Sequence, residues 1–149
     1  MTQEDKELLL KDLCARTPYG VKVQYMNNIF VIDYVSSYEE VKLDTSDNWT
    51  VGVSEVKPYL LPLSSITEEE AKELSILYGI KDILSINITD KYIDFKVDDG
   101  LDSIERKTIW YNEIISSTET FDWLNKNHFD YRGLIPMGLA IDATGLNIY

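Results

Sequence analysis

A chain of 149 residues with 14 Lys and Arg against 26 Asp and Glu carries a formal charge of −12. That balance excludes the basic surface needed to neutralise phosphates, so no nucleic acid is expected as a partner. The single Cys excludes a disulfide framework and a multi-cysteine zinc site. No apolar run reaches the ~18 residues of a membrane span, and the acidic opening is unlike a secretory signal. A cytosolic protein without membrane association is expected, and 44% hydrophobic residues supply a core for one globular domain over 1–149.

The first predicted element is a helix. Thr2 is placed to cap it, Glu4 and Asp5 suit its positive end, and Leu9, Leu10, Leu13 and Cys14 form the face expected to be buried. Arg16 complements the negative end, and Thr17-Pro18-Tyr19-Gly20 stops the helix. The period then drops to two. Val21, Val23 and Tyr25 read as a half-buried strand, Asn27-Asn28 as a hairpin turn, and 29–35 as a return strand inside the sheet. Short strands follow at 41–43 and 49–53, with a turn at 44–48 and a bulge expected at Gly52. Two prolines make 57–63 an ordered apolar connector, neither interior strand nor helix.

Thr67 with Glu70 forms a capping box, opening a helix that runs to about Tyr78 and ends at Gly79. Strands at 83–88 and 92–97 flank a Thr89-Asp90-Lys91 turn, and Asp98-Asp99-Gly100 turns the chain into a partner strand at 103–111. Ser116 with Glu119 suggests a second capping box and a short helix to about Lys126. The segment 128–149 is expected to form a buried turn and then a short strand at 139–141. Tight turns join antiparallel strands. The predicted class is α+β, a mainly antiparallel sheet of hairpins and meander with about three helices packed on it.

Three stretches carry a resemblance: 1–16; Val56-Lys57-Pro58-Tyr59-Leu60-Leu61-Pro62-Leu63-Ser64-Ser65 with the acidic helix start behind it; and 122–140, which includes His128-Phe129-Asp130-Tyr131-Arg132-Gly133-Leu134-Ile135. Together they resemble a group of short uncharacterised proteins of gut anaerobes and of their phages and prophages. The resemblance implies an accessory protein of a mobile element. It carries over no activity and no site residue.

The residues themselves argue against chemistry. A Cys14–His128 nucleophile pair is conceivable, but a lone Cys on an apolar helix face is ordinarily a small buried hydrophobe. His128 at a helix C-terminus answers the dipole. Asp94, Asp98, Asp99 and Asp102 can be read as an acidic Mg²⁺ site, yet turn and strand positions account for them. No cofactor and no metal are expected. Arg132, between Tyr131 and Gly133 and close to Asp130, is either a recognition residue or an internal staple on a carboxylate. Trp49, Tyr59, Trp110 and Tyr111 suit strands and the connector, and a contiguous exposed set of aromatics would indicate binding.

The leading expectation is a non-enzymatic accessory protein that binds a host or phage protein with a basic surface, steered by the −12 charge. The alternative is a small, nucleotide-type ligand held by Arg132, Tyr131, Asp130, Lys57 and Tyr59. A carboxylate-dependent or metal-dependent hydrolase ranks last.

Overall fold

The computed structural model describes residues Met1–Tyr149. In chain order, α1 (Gln3–Arg16) and a 3-10 turn (Thr17–Tyr19) precede β1 (Lys22–Tyr25), β2 (Asn28–Val35), β3 (Glu40–Leu43) and β4 (Thr50–Gly52). A 3-10 turn (Val53–Glu55) leads to β5 (Lys57–Leu60), and another (Leu63–Ser65) to α2 (Glu68–Leu77). Then come β6 (Ile83–Ile88), β7 (Tyr92–Asp98), β8 (Ile104–Trp110), a 3-10 turn (Tyr111–Glu113), α3 (Thr118–Lys126) and β9 (Ile141–Asp142). The class is α+β, as the patterning predicts, with the strands in two mostly antiparallel sheets. The chain divides into two compact units: Met1–Leu61 with Asn125–Tyr149, and Pro62–Leu124.

The first unit is built on a six-stranded sheet in the order β4-β3-β2-β1-β5-β9. Every pair is antiparallel except β5 with β9. Val21, Val23, Ile32, Val41, Leu43, Val51 and Leu60 are buried in one cluster with Leu9 and Leu13 of α1. Helix α1 starts with a capping box, Thr2 Oγ1 accepting from the Asp5 amide and Asp5 Oδ2 from the Thr2 amide. Its buried residues are Leu9, Asp12, Leu13 and Arg16, one i, i+3, i+4, i+7 stripe, and Cys14 is exposed. The expected burial of Cys14 is therefore corrected. Two charged side chains share the stripe with the leucines because they pair with each other, Nε of Arg16 donating to Asp12 Oδ2 at 2.8 Å.

Four local expectations also shift. The β1–β2 hairpin pairs Tyr25 with Asn28, so the two-residue loop is Met26-Asn27, at φ of 47° and 62°, rather than Asn27-Asn28. The register irregularity lies between Ile32 and Tyr34 on β2, not at Gly52. Gly52 instead lets Glu55 fold back: its amide donates to Glu55 Oε2 at 2.7 Å, and a Cβ there would sit 3.2 Å from that oxygen. Residues 57–60 are not a connector but β5, an interior strand between β1 and β9. Pro58 is tolerated because it lies at the strand's start; β9 pairs only with Tyr59 and Leu60 and asks nothing of the missing N–H. In the tail, the strand is Ile141–Asp142, two residues beyond the expected start, and Leu134, Leu139 and Ala140 join the core.

The second unit holds the sheet β6-β7-β8, with Ile93, Phe95, Val97 and Ile109 buried. Helix α2 has the predicted capping box, Thr67 Oγ1 with the Glu70 amide and Glu70 Oε1 with the Thr67 amide, and it packs on β6. The cap ahead of α3 is Ser117, whose Oγ accepts from the Thr120 amide at 3.1 Å; the Ser116–Glu119 pairing is off by one residue.

Candidate functional site

At the β1–β2 turn the core of the first unit reaches the surface as rings. Tyr25 and Phe30 stand on the same side of the hairpin, and Trp49 comes from the loop ahead of β4. Their centroids are 6.3 Å (Tyr25–Phe30), 6.5 Å (Tyr25–Trp49) and 6.0 Å (Phe30–Trp49) apart. Tyr25 and Phe30 are half-buried against the core, and Trp49 is 44% exposed. Met26 beside them is 72% exposed and holds a left-handed backbone that Asn or Gly would adopt at less cost. The two-residue turn sets that backbone, and Met26 placed there lies outside the core cluster, its thioether left to solvent. Tyr25, Met26, Asn48, Trp49, Thr50 and Val51 line a concavity of about 600 Å³. The building segments 23–30 and 44–51 carry Asp44 and Asp47 and no Lys or Arg. This is a contiguous apolar, aromatic patch, the composition of an interface core. Exposed apolar residues such as Leu101 and Ile76 show no such ring cluster about them.

Of the residues first suspected of ligand binding, Arg132, Tyr131 and Asp130 have partners inside the first unit. Asp12 is fully buried; its Oδ2 accepts from Arg16 Nε at 2.8 Å, and its Oδ1 accepts from Arg16 Nη2 at 3.1 Å and Arg132 Nε at 3.2 Å. Arg16, also fully buried, donates from Nη2 to the Phe129 carbonyl at 2.7 Å. Tyr131 lies under both guanidinium groups, 5.1 Å and 4.9 Å from its ring centre, and donates its hydroxyl to Asn125 Oδ1. Asp130 accepts from the Leu134 and Ile135 amides at 2.8 Å each, shaping the buried turn. Arg132 and Tyr131 thus staple the tail onto α1, and Asp130 holds the tail's own turn. Tyr59 is buried in β5, its carbonyl accepting from the Tyr149 hydroxyl at 2.8 Å, and Lys57 is exposed on the same strand.

His128 is buried, stacked on Tyr149 at 3.7 Å between ring centres, and Cys14 stands on the exposed side of α1. Burial, then the charges of Arg16 and Lys22, lower the His128 pKa to about 4. A neutral imidazole cannot answer a helix dipole as a cation, which corrects that expectation. Asp94 accepts from Arg106 and Thr108, and the Arg106 hydrogen bond holds its carboxyl below the usual range. Asp98 and Asp99 accept from the amides of Gly100 and Leu101. No three His, Cys, Asp or Glu side chains are grouped so as to hold a metal ion. No helix is long and apolar enough to cross a membrane.

Trp110 and Tyr111 line a smaller hollow of about 380 Å³ with Asp90, Lys91 and Asn112. Burial, with Asp90 adding to it, pushes the Tyr111 pKa to about 12, and its hydroxyl donates to the Thr89 carbonyl. Sequence reasoning missed Met26, Phe30, Asp12 and Arg16. The i, i+4 spacing of Asp12 and Arg16 was the available signal for the staple. Met26 and Phe30 gave none without the hairpin register. Compared with protein-family models, curated proteins and solved structures, the chain has no match.

Proposed function

We propose that this protein is a non-enzymatic accessory factor that binds another protein through the Tyr25–Met26–Phe30–Trp49 patch. The observation that carries the proposal is the surfacing of the core as three mutually close rings beside an exposed, backbone-strained Met26. The −12 charge favours a partner with a basic face, which the field accelerates toward the protein. We further propose, on the sequence resemblance to proteins of gut anaerobes and their phages and prophages alone, that this partner is a host or phage protein. The small-ligand alternative is weakened, because Arg132 and Asp130 are engaged inside the unit.

Wild-type protein, Met26→Asp and a control, Leu101→Asp, are immobilised and exposed to lysate at low salt. Asp accepts the left-handed backbone, so Met26→Asp removes the apolar contact without unfolding the turn. The expected result is a basic protein retained by wild type and the control and lost with Met26→Asp. Salt should slow its association several-fold and leave dissociation nearly unchanged. Equal retention by Met26→Asp, or tight binding of duplex DNA, overturns the proposal.

A further inference from the structure

We infer that the hollow beside Tyr25 and Trp49 is a guanidinium receptor, which takes an arginine side chain of the basic partner. This rests on the docking reading above and deepens it to a ligand chemistry. The three ring planes are inclined to one another by 55°, 73° and 56°. Tyr25 and Trp49, the two rings that line the hollow, meet edge to face, an arrangement in which the ring presenting its edge keeps both faces clear of the other. With the Tyr25 and Trp49 centroids 6.5 Å apart, a point about 5 Å from both lies roughly 3.8 Å off the line joining them, within the ~6 Å reach of a cation–π contact.

The surroundings select the cation. The two segments that form the hollow carry Asp44 and Asp47 and no Lys or Arg, and Lys42, paired with Thr50 across the ladder, is held by Asp33 at 3.2 Å and lies over Tyr34. Two other exposed rings carry their own cation, Lys42 over Tyr34 and Lys22 over Tyr149. The polar groups lining the hollow, from Tyr25, Asn48 and Thr50, all offer acceptor oxygens. A planar guanidinium, weakly hydrated and rich in donors, can stack on a ring and still reach those oxygens. An ammonium is a compact, strongly hydrated charge and does so less well. A neutral side chain of the same shape would gain the stacking without the charge.

The test uses the intact protein and three neutral-backbone probes: N-acetyl-arginine amide, N-acetyl-citrulline amide and N-acetyl-lysine amide. NMR follows the Trp49 indole N–H and the Met26 methyl group, with the Trp110 and Trp123 indoles as internal controls. Arginine should shift the first pair and not the controls, with citrulline and lysine each at least about threefold weaker. Trp49→Leu should abolish the preference for arginine over citrulline. Citrulline or lysine binding as well as arginine overturns the guanidinium assignment, and so does the absence of any shift. These comparisons need only the wild-type chain, so a poorly folded variant does not decide the matter. If the assignment fails while Met26→Asp still loses the partner, the docking reading survives. If Met26→Asp keeps the partner, that reading falls as well.

Discussion

Asp12→Asn removes one charge from the centre of the staple and almost nothing else. In the wild-type protein the carboxylate takes three hydrogen bonds, two from Arg16 and one from Arg132. Neither Asp12 nor the Arg16 side chain touches solvent. The amide retains an acceptor oxygen, but its nitrogen turns a donor toward a donor, and Arg16 is left buried without a counter-ion. Breaking a buried pair on one side costs about 3–5 kcal/mol. For a chain of this length each kcal/mol lowers the melting temperature by about 2–4 °C. The expected fall is therefore about 6–20 °C, read by thermal or urea denaturation at neutral pH.

The companion variant Asp12→Leu with Arg16→Met replaces the pair by apolar groups of similar bulk. Its penalty should be only about 1–2 kcal/mol, from the Phe129 carbonyl losing its donor and the partly exposed Arg132 losing its carboxylate. The sum of the single-site costs should exceed the double-variant cost by at least ~2 kcal/mol, the sign of direct coupling. If Asp12→Asn costs under ~1 kcal/mol, or the single costs simply add, Arg16 is not held as an uncompensated charge and the staple argument is wrong.

Two further outcomes follow from burial. Cys14 is exposed, so a maleimide should label it to completion in the native state, although partial burial raises its pKa and slows the reaction; labelling only after denaturation would refute the placement. The His128 pKa of about 4 lies below its unfolded value, so the unfolded chain takes up this proton first. The contribution is complete above pH ~6.5 and falls as pH drops toward ~4, by about 1–3 kcal/mol. His128→Gln should flatten that part of the stability curve relative to wild type, and an imidazole titrating near 6.5 by NMR would contradict it.

What could be read from the sequence is what short range decides. Thr67 and Glu70 meet because three residues of helix place one over the other, and alternation at Val21, Val23 and Tyr25 marks a strand whatever its neighbours are. The sequence also identified Arg132 as a choice between staple and recognition residue, but could not choose, since its partner Asp12 lies 120 residues away. Long-range pairing decided the rest. Residues 57–60 look unfit for a sheet interior until β1 and a two-residue β9 flank them and leave Pro58 unburdened. The buried stripe of α1 looks more apolar through Cys14 than through Asp12, but in the fold Asp12 and Arg16 neutralise each other, and that removes the penalty for burying them. Likewise Tyr25, Phe30 and Trp49 become one patch only after the hairpin register and the β3–β4 turn bring them together. A side chain's cost or use depends on what it touches, and contacts made across the whole chain length are not written in any local pattern.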